Sequence, residues 1–325
     1  MIKLHKINKT FRVAKRQAGF GRAVKALFSR EYETIHALSD VSFEIGDGEM
    51  VGYIGQNGAG KSTTIKIMCG VLTPDSGACE IDGLTPWLDR VEHVRGIGVV
   101  FGQRSQLWWD VPVIDSFELI RDIYKVDAAL YKRNLGDLTG LLDMGELLKT
   151  PARALSLGQR MRCEIASSLL HSPKILFLDE PTIGLDAVSK LAVRKFIKKL
   201  NAEYGTTVIL TTHDMQDIEA LTERILLIGH GRIALDGSLE ELKRRTSGHK
   251  TLVIEYSGEA PQAIADGMTV VDMKDGRLVI RLDPATLPVS DAIAGLSSAS
   301  NILDVSVSGI TAEEMVAALY EEFRE

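Results

Sequence analysis

Residues 55–63, Gly-Gln-Asn-Gly-Ala-Gly-Lys-Ser-Thr, fit the pattern Gly-x-x-x-x-Gly-Lys-Ser in full. They stand between a strand-like run and the start of a helix, the setting that makes such a loop a phosphate cradle. Gly55, Gly58 and Gly60 let the backbone approach a ligand with no Cβ in the way, and the N–H groups through Asn57 and Ala59 form an anion nest. The following helix aims its positive end at the same place. In this pattern Lys61 holds the β- and γ-phosphates, the Ser62 hydroxyl binds Mg²⁺, and Thr63 completes the loop.

The second chemical element is Ile-Leu-Phe-Leu-Asp-Glu at 175–180. Four apolar residues make a buried strand, and Asp179 and Glu180 emerge at its C-terminal end, where open α/β sheets bind ligands. Asp179 is suited to hold Mg²⁺ through water, and Glu180 to orient or deprotonate an attacking water. Cradle and acidic strand together imply a nucleotide-hydrolysing site.

A sheet must position these groups. Strand-like segments at 41–45, 50–54, 97–101, 175–179, 207–212 and 225–228, alternating with helical stretches such as 59–69, predict an α/β domain over 1–245. Between 104 and 171 the apolar spacing turns helical, through Ile114, Phe117, Ile120, Ile123 and Tyr124, then Leu135, Leu138, Leu141 and Leu142. That block reads as a helical subdomain inserted into the sheet domain. A polar, basic boundary near 243–250 precedes TLVIEY, TVVDM and RLVIRL, which read as strands with MKDGR as a hairpin turn. PVSDAIAGL and AEEMVAALYEE read as helices around the strand ILDVSVSG, so 246–325 is expected to be a small α+β domain.

The 325 residues are 45% hydrophobic and 25% charged, enough for a packed core and inconsistent with a disordered chain. A net charge of −6 argues against nucleic acid as a partner. Cys69, Cys79 and Cys163 form no Cys-x-x-Cys pair, which excludes a disulfide scaffold or a cysteine zinc site and suits a reducing compartment. No apolar run approaches the ~18–20 residues that span a bilayer. A soluble, cytoplasmic chain is expected, with any membrane role supplied by a partner. One segment stands apart. Residues 12–30 carry Arg12, Lys15, Arg16, Arg22, Lys25 and Arg30 with no acid, and Phe20, Val24, Leu27 and Phe28 share one helical face. This insert is either a solvated helix packed on its own domain or a helix lying near anionic lipid.

Leu155-Ser156-Leu157-Gly158-Gln159, just upstream of the acidic strand, resembles the signature loop of ATP-binding-cassette (ABC) ATPases, with leucine at 157 where the family form has glycine. Further family marks follow. Gln103 matches the glutamine that joins the metal site to the helical subdomain. Thr182-Ile183-Gly184-Leu185-Asp186 resembles the loop whose Asp crosses the dimer interface, and His213 matches the switch histidine that contacts the γ-phosphate. An adenine-stacking aromatic is expected at Phe11, at the end of the first strand, with Tyr32 as the alternative across the insert. Trp108 and Trp109 are either anchors for a partner or core of the helical subdomain.

The resemblance implies a P-loop NTPase cassette with ATP and Mg²⁺ as ligands. Ser156, Gly158 and Gln159 of one copy would face the cradle of a second, making a homodimer with Asp186 at the interface. It further implies an integral membrane permease as partner and a place on the cytoplasmic face of the membrane, with export as the leading direction. An importer ATPase with a C-terminal regulatory domain and a soluble, non-transport ABC ATPase are the alternatives.

Overall fold

The apolar segments before the two chemical motifs become strands of one buried sheet, with a third strand between them. The computed structural model describes residues 1–14, 32–102, 104–212, 214–241, 250–258, 265–284 and 286–309. The chain divides into two units, Met1–Asp236 and Gly237–Glu325.

The first unit contains strands β1 (Ile2–Ala14), β2 (Tyr32–Ile45), β3 (Met50–Gly55), β4 (Ser76–Ile81), β5 (Ile97–Phe101), β6 (Ile175–Asp179), β7 (Thr207–Thr211), β8 (Arg224–Gly229) and β9 (Arg232–Ser238). Among the described residues they form two sheets, ordered β2-β1-β4 and β5-β6-β7-β3-β8-β9. The first is antiparallel; in the second, β5, β6, β7, β3 and β8 run parallel. Burial explains the parallel strands' composition: Leu176, Phe177 and Leu178 of β6 are fully enclosed, as are Leu226, Leu227 and Ile228 of β8.

Helix α1 (Lys61–Met68) follows β3 directly. Its Ile65 and Ile67 share one core with Ile2, Ile7 and Ile81 of the antiparallel sheet and Phe177 and Ile228 of the parallel sheet. Gripped from both sides, α1 cannot shift the residue at its start. Helix α2 (Arg90–Gly96) leads into β5, and α3 (Val113–Tyr124), α4 (Ala128–Leu141) and α5 (Leu157–Leu169) intervene between β5 and β6, within the span expected to be helical. Phe117, Ile120 and Leu138 are buried as their spacing implied, but Ile123 is 64% exposed and takes no part in that core. Helices α6 (Ala187–Tyr204) and α7 (Met215–Leu221) follow β6 and β7. The first strand is longer than its sequence suggested. It runs past Phe11 to Ala14 and pairs in register with β2, so Phe11 lies inside the strand and not at its end.

The second unit, described by itself, is an antiparallel sheet of β10 (Lys250–Ser257), β11 (Met268–Lys274), β12 (Arg277–Leu282) and β13 (Asn301–Gly309), ordered β11-β12-β10-β13. Alternate residues Leu252, Ile254, Leu278, Ile280 and Leu282 turn to one face and are sealed with Ala292 and Leu296 of α8 (Val289–Ala299). Residues 310–325, where a final helix is expected, lie outside the described residues, as do residues 15–30 of the basic insert, whose first residues 12–14 belong to β1.

Candidate active site

The cradle wraps the junction of β3 and α1. Gly60 holds φ at +113°, and a Cβ there would stand 2.7 Å from the Ala37 carbonyl oxygen, so only glycine allows this turn. Ala59 N–H donates to the Gln56 carbonyl at 3.1 Å and Gly231 N–H donates to the Ala59 carbonyl at 3.0 Å, which closes the loop against the β8–β9 turn. No side chain caps the N-terminus of α1, and its first N–H groups remain available to an anion. Lys61 is 7% exposed. Its ammonium donates to the carbonyls of Gly55 and Gln56. Burial lowers its pKa from the usual lysine value, against the opposing pull of Glu180 and Asp179.

Those two carboxylates reach the cleft from the C-terminal end of β6, which β7 separates from β3. Asp179 ends β6 beside Thr211 of β7, whose hydroxyl donates to Asp179 Oδ1 at 2.5 Å. Glu180 has φ +58°, a left-handed conformation that costs a non-glycine residue about 1 kcal/mol. Its N–H donates to the Thr211 carbonyl at 3.0 Å, while Gly102 N–H donates to the Asp179 carbonyl at 2.8 Å. Local backbone strain of this kind is typical of a working site, because it aims a side chain that the relaxed strand would point elsewhere. Lys61, Ser62, Thr63, Asp179 and Glu180 line one cleft of 610 Å³, a volume suited to a nucleotide.

Ser156, Gly158, Gln159 and Asp186 do not line that cleft. Ser156 is the N-cap of α5: its Oγ accepts from Gln159 N–H at 3.2 Å and its N–H donates to Gln159 Oε1 at 2.9 Å, a complete capping box. Asp186 caps α6 in the same manner, accepting from Ser189 N–H and Oγ, both at 2.9 Å, and those bonds hold its carboxyl below the usual aspartate range. The two caps touch. A Cβ on Gly158 would lie 2.4 Å from Ser189 Oγ, so glycine is what lets α5 approach α6 here. Leu157 lies over Gly184 and is 37% exposed, and Val188 and Leu191 in the first turns of α6 are 77% and 63% exposed.

The family model described as ABC transporter matches residues 38–183, from within β2 to the loop after Glu180. The daunorubicin resistance ATP-binding protein DrrA3 of Streptomyces coeruleorubidus is 30% identical over 291 residues, covering 88% of this chain and 88% of its own length. The methionine import ATP-binding protein MetN 1 of Acinetobacter baylyi is 32% identical, covering 74% of this chain and 76% of its own. The ATP-binding cassette MJ0796, solved as a dimer in a post-hydrolysis state with ADP and Pi, superposes with a TM-score of 0.61 at 28% identity, over 74% of this chain and 99% of that one. The chain belongs to the ABC transporter ATP-binding family. It is an ATP-binding ATPase subunit with the α/β cassette fold of that family.

Two family marks of this ABC ATPase, Gln103 and His213, lie outside the described residues. Phe11 pairs across the sheet with Ile35, which lines the nucleotide cleft; Tyr32 pairs with Ala14 farther along, on the opposite face of the strand. Trp108 and Trp109 are 59% and 51% exposed, so they are surface residues and not subdomain core. Arg160 stacks over the Trp109 ring at 5.6 Å. Sequence reasoning missed Thr211, Gly102 and Arg104, the last of which also lines the cleft. Thr211 had a usable signal: it ends a parallel strand next to β6, in register with Asp179.

Proposed function

We propose that the protein is the ATP-hydrolysing subunit of an exporter, working as a homodimer against a separate membrane permease. One observation carries the dimer. Lys61, Asp179 and Glu180 converge on a single cleft, while Ser156, Gly158 and Asp186 lie outside it, Ser156 and Asp186 exposed over the buried Gly158, which supports their meeting a phosphate across a subunit boundary. In this reading Glu180 activates water, His213 senses the γ-phosphate, and Phe11 supports adenine in preference to Tyr32.

Hard oxygen donors suit Mg²⁺: the Ser62 hydroxyl and Asp179 carboxylate in the cleft, joined by Gln103, would hold it together with phosphate oxygens. Among the described residues no cluster of three acids, histidines or cysteines forms a cage, which suits an ion bound mainly through its nucleotide. Bound there, Mg²⁺ would neutralise developing phosphate charge.

No helix among the described residues is long and apolar enough to cross a membrane, so attachment would come through the permease, at the cytoplasmic face. Exposed Trp108 and Trp109 are suited to anchor it. Nucleic acid is not a partner in this reading. Export is supported by DrrA3, since drug resistance is what outward transport produces, and its similarity covers more of the chain than Met1–Asp236 can supply. MetN 1, an import protein, supports the importer alternative.

Glu180→Gln tests the reading. It is expected to keep ATP binding, lower hydrolysis by about 10²–10⁴-fold, and accumulate ATP-dependent dimers in size-exclusion chromatography. Hydrolysis near the wild-type rate would remove Glu180 from its role. With the permease reconstituted in vesicles, substrate moving away from the cassette side marks an exporter, and movement toward it marks an importer.

A further inference from the structure

Asp217 of α7 is fully buried yet does not line the nucleotide cleft. Its carboxylate collects donors from three segments. Arg194 Nε of α6 donates to Oδ1 at 2.5 Å, and Thr212 Oγ1 donates to Oδ2 at 3.3 Å. The Thr182 hydroxyl donates to that same oxygen. Both threonines are 2% exposed. Asp214 extends the cluster: its carboxylate accepts from Lys190 and lies 3.6 Å from Arg194, and its N–H donates to Thr212 Oγ1 at 2.9 Å.

The positions of these partners in the chain give the cluster its meaning. Thr182 follows Glu180 by one proline, and Thr212 and Asp214 are the sequence neighbours on either side of His213. Arg194 belongs to the helix that Asp186 caps and whose Ser189 meets Gly158. A single carboxylate therefore ties together the segment of the water-activating acid, the residue before position 213 and the helix behind the signature loop, and Asp214 on the far side of 213 joins through Thr212 and Arg194. Burying an ion pair is a poor way to gain stability, because an apolar set of the same volume often does as well. What the ion pair supplies is direction, since each hydroxyl must point at one carboxylate.

We propose that Asp217 is a positioning residue for ATP hydrolysis. It fixes Thr182 and Thr212 and so sets the relation between the ends of β6 and β7, from which Glu180 and residue 213 emerge. The proposal rests on the reading of Glu180 as the water-activating base. Neither Asp217 nor its threonine partners line the cleft, so their loss acts on the reaction and not on nucleotide affinity.

The test uses the full chain and steady-state ATP hydrolysis. Thr182→Val and Asp217→Asn are expected to lower kcat about tenfold to a hundredfold, as misplacement of a reacting group does, with KM for ATP within about twofold. Thr182→Ser keeps the hydroxyl and is expected to restore the rate. The pair Arg194→Met with Asp217→Leu removes both buried charges, and is expected to regain the melting temperature without the rate. A Thr182→Val enzyme at full rate, a Thr182→Ser enzyme as slow as the valine variant, or an apolar pair at full rate would overturn the proposal. Glu180→Gln run alongside separates the two ideas. If it is inactive while Thr182→Val is unaffected, positioning alone fails; if it is active, the base assignment beneath it fails.

Discussion

The cradle and the signature loop are both helix N-termini, and they are finished in opposite ways. The start of α1 has no side-chain cap, its lysine is buried, and the two acids at the end of β6 line the same cleft. The start of α5 is closed by a full capping box and lies on an exposed surface beside Leu157, Val188 and Leu191. An uncapped N-terminus leaves N–H groups for an anion, so α1 can take phosphate within one chain. Ser156 Oγ already accepts from Gln159 N–H and keeps its hydroxyl proton to donate outward. The first half gathers its groups within one chain, whereas the second lies outside that cleft and in the proposed dimer would complete the partner's site.

Breaking the cradle half has the largest expected effect. Lys61→Ala removes a buried, charge-assisted donor to phosphate, worth about 3 kcal/mol or on the order of 100-fold in affinity. Titration with a fluorescent ATP analogue reads this directly, and an unchanged Kd would mean that Lys61 does not touch the nucleotide. Gly158→Ala breaks the other half, because its new methyl group meets Ser189 Oγ at 2.4 Å and forces α5 from α6. ATP affinity is expected to stay constant while hydrolysis falls about tenfold, the cost of a partner surface held out of place. Equal losses in both quantities would erase the distinction between the halves.

The smallest effect sharpens the link between them. Glu164 of α5 is buried and accepts from the Ser105 hydroxyl and Gln106 N–H, just beyond the Gly102 end of the cleft. Burial raises its pKa above the ordinary 4.5, outweighing those hydrogen bonds. A raised carboxyl pKa contributes stability that is present below 4.5 and lost as pH rises through the folded value. The melting temperature of Glu164→Gln, relative to wild type, is therefore expected to climb as pH rises from about 4 to 7. A difference independent of pH would show that Glu164 is not desolvated.

Much of the cassette was legible because its strands are buried on both faces and its motifs are contiguous. Residues 50–63 and 175–180 each carry strand, turn and chemistry in one short stretch. Asp217 was not legible, since in sequence it is one more acid in the amphipathic run Met-Gln-Asp-Ile-Glu-Ala-Leu. Its partners Thr182, Arg194 and Thr212 come from other elements and meet only when α6 and α7 pack behind β6 and β7. The relation of Phe11 and Tyr32 to the cleft was equally non-local, because strand register sets Phe11 opposite the cleft-lining Ile35 while neither ring lines the cleft itself.

The sequence by itself determined which groups could bind and cleave a nucleotide, because a glycine-rich turn, a lysine and paired acids carry their chemistry locally. Only the tertiary structure decided which of those groups share a cleft and which face outward. That separation depends on which helix ends are capped, which are buried, and which strands lie side by side, and these are contacts between residues far apart in the chain.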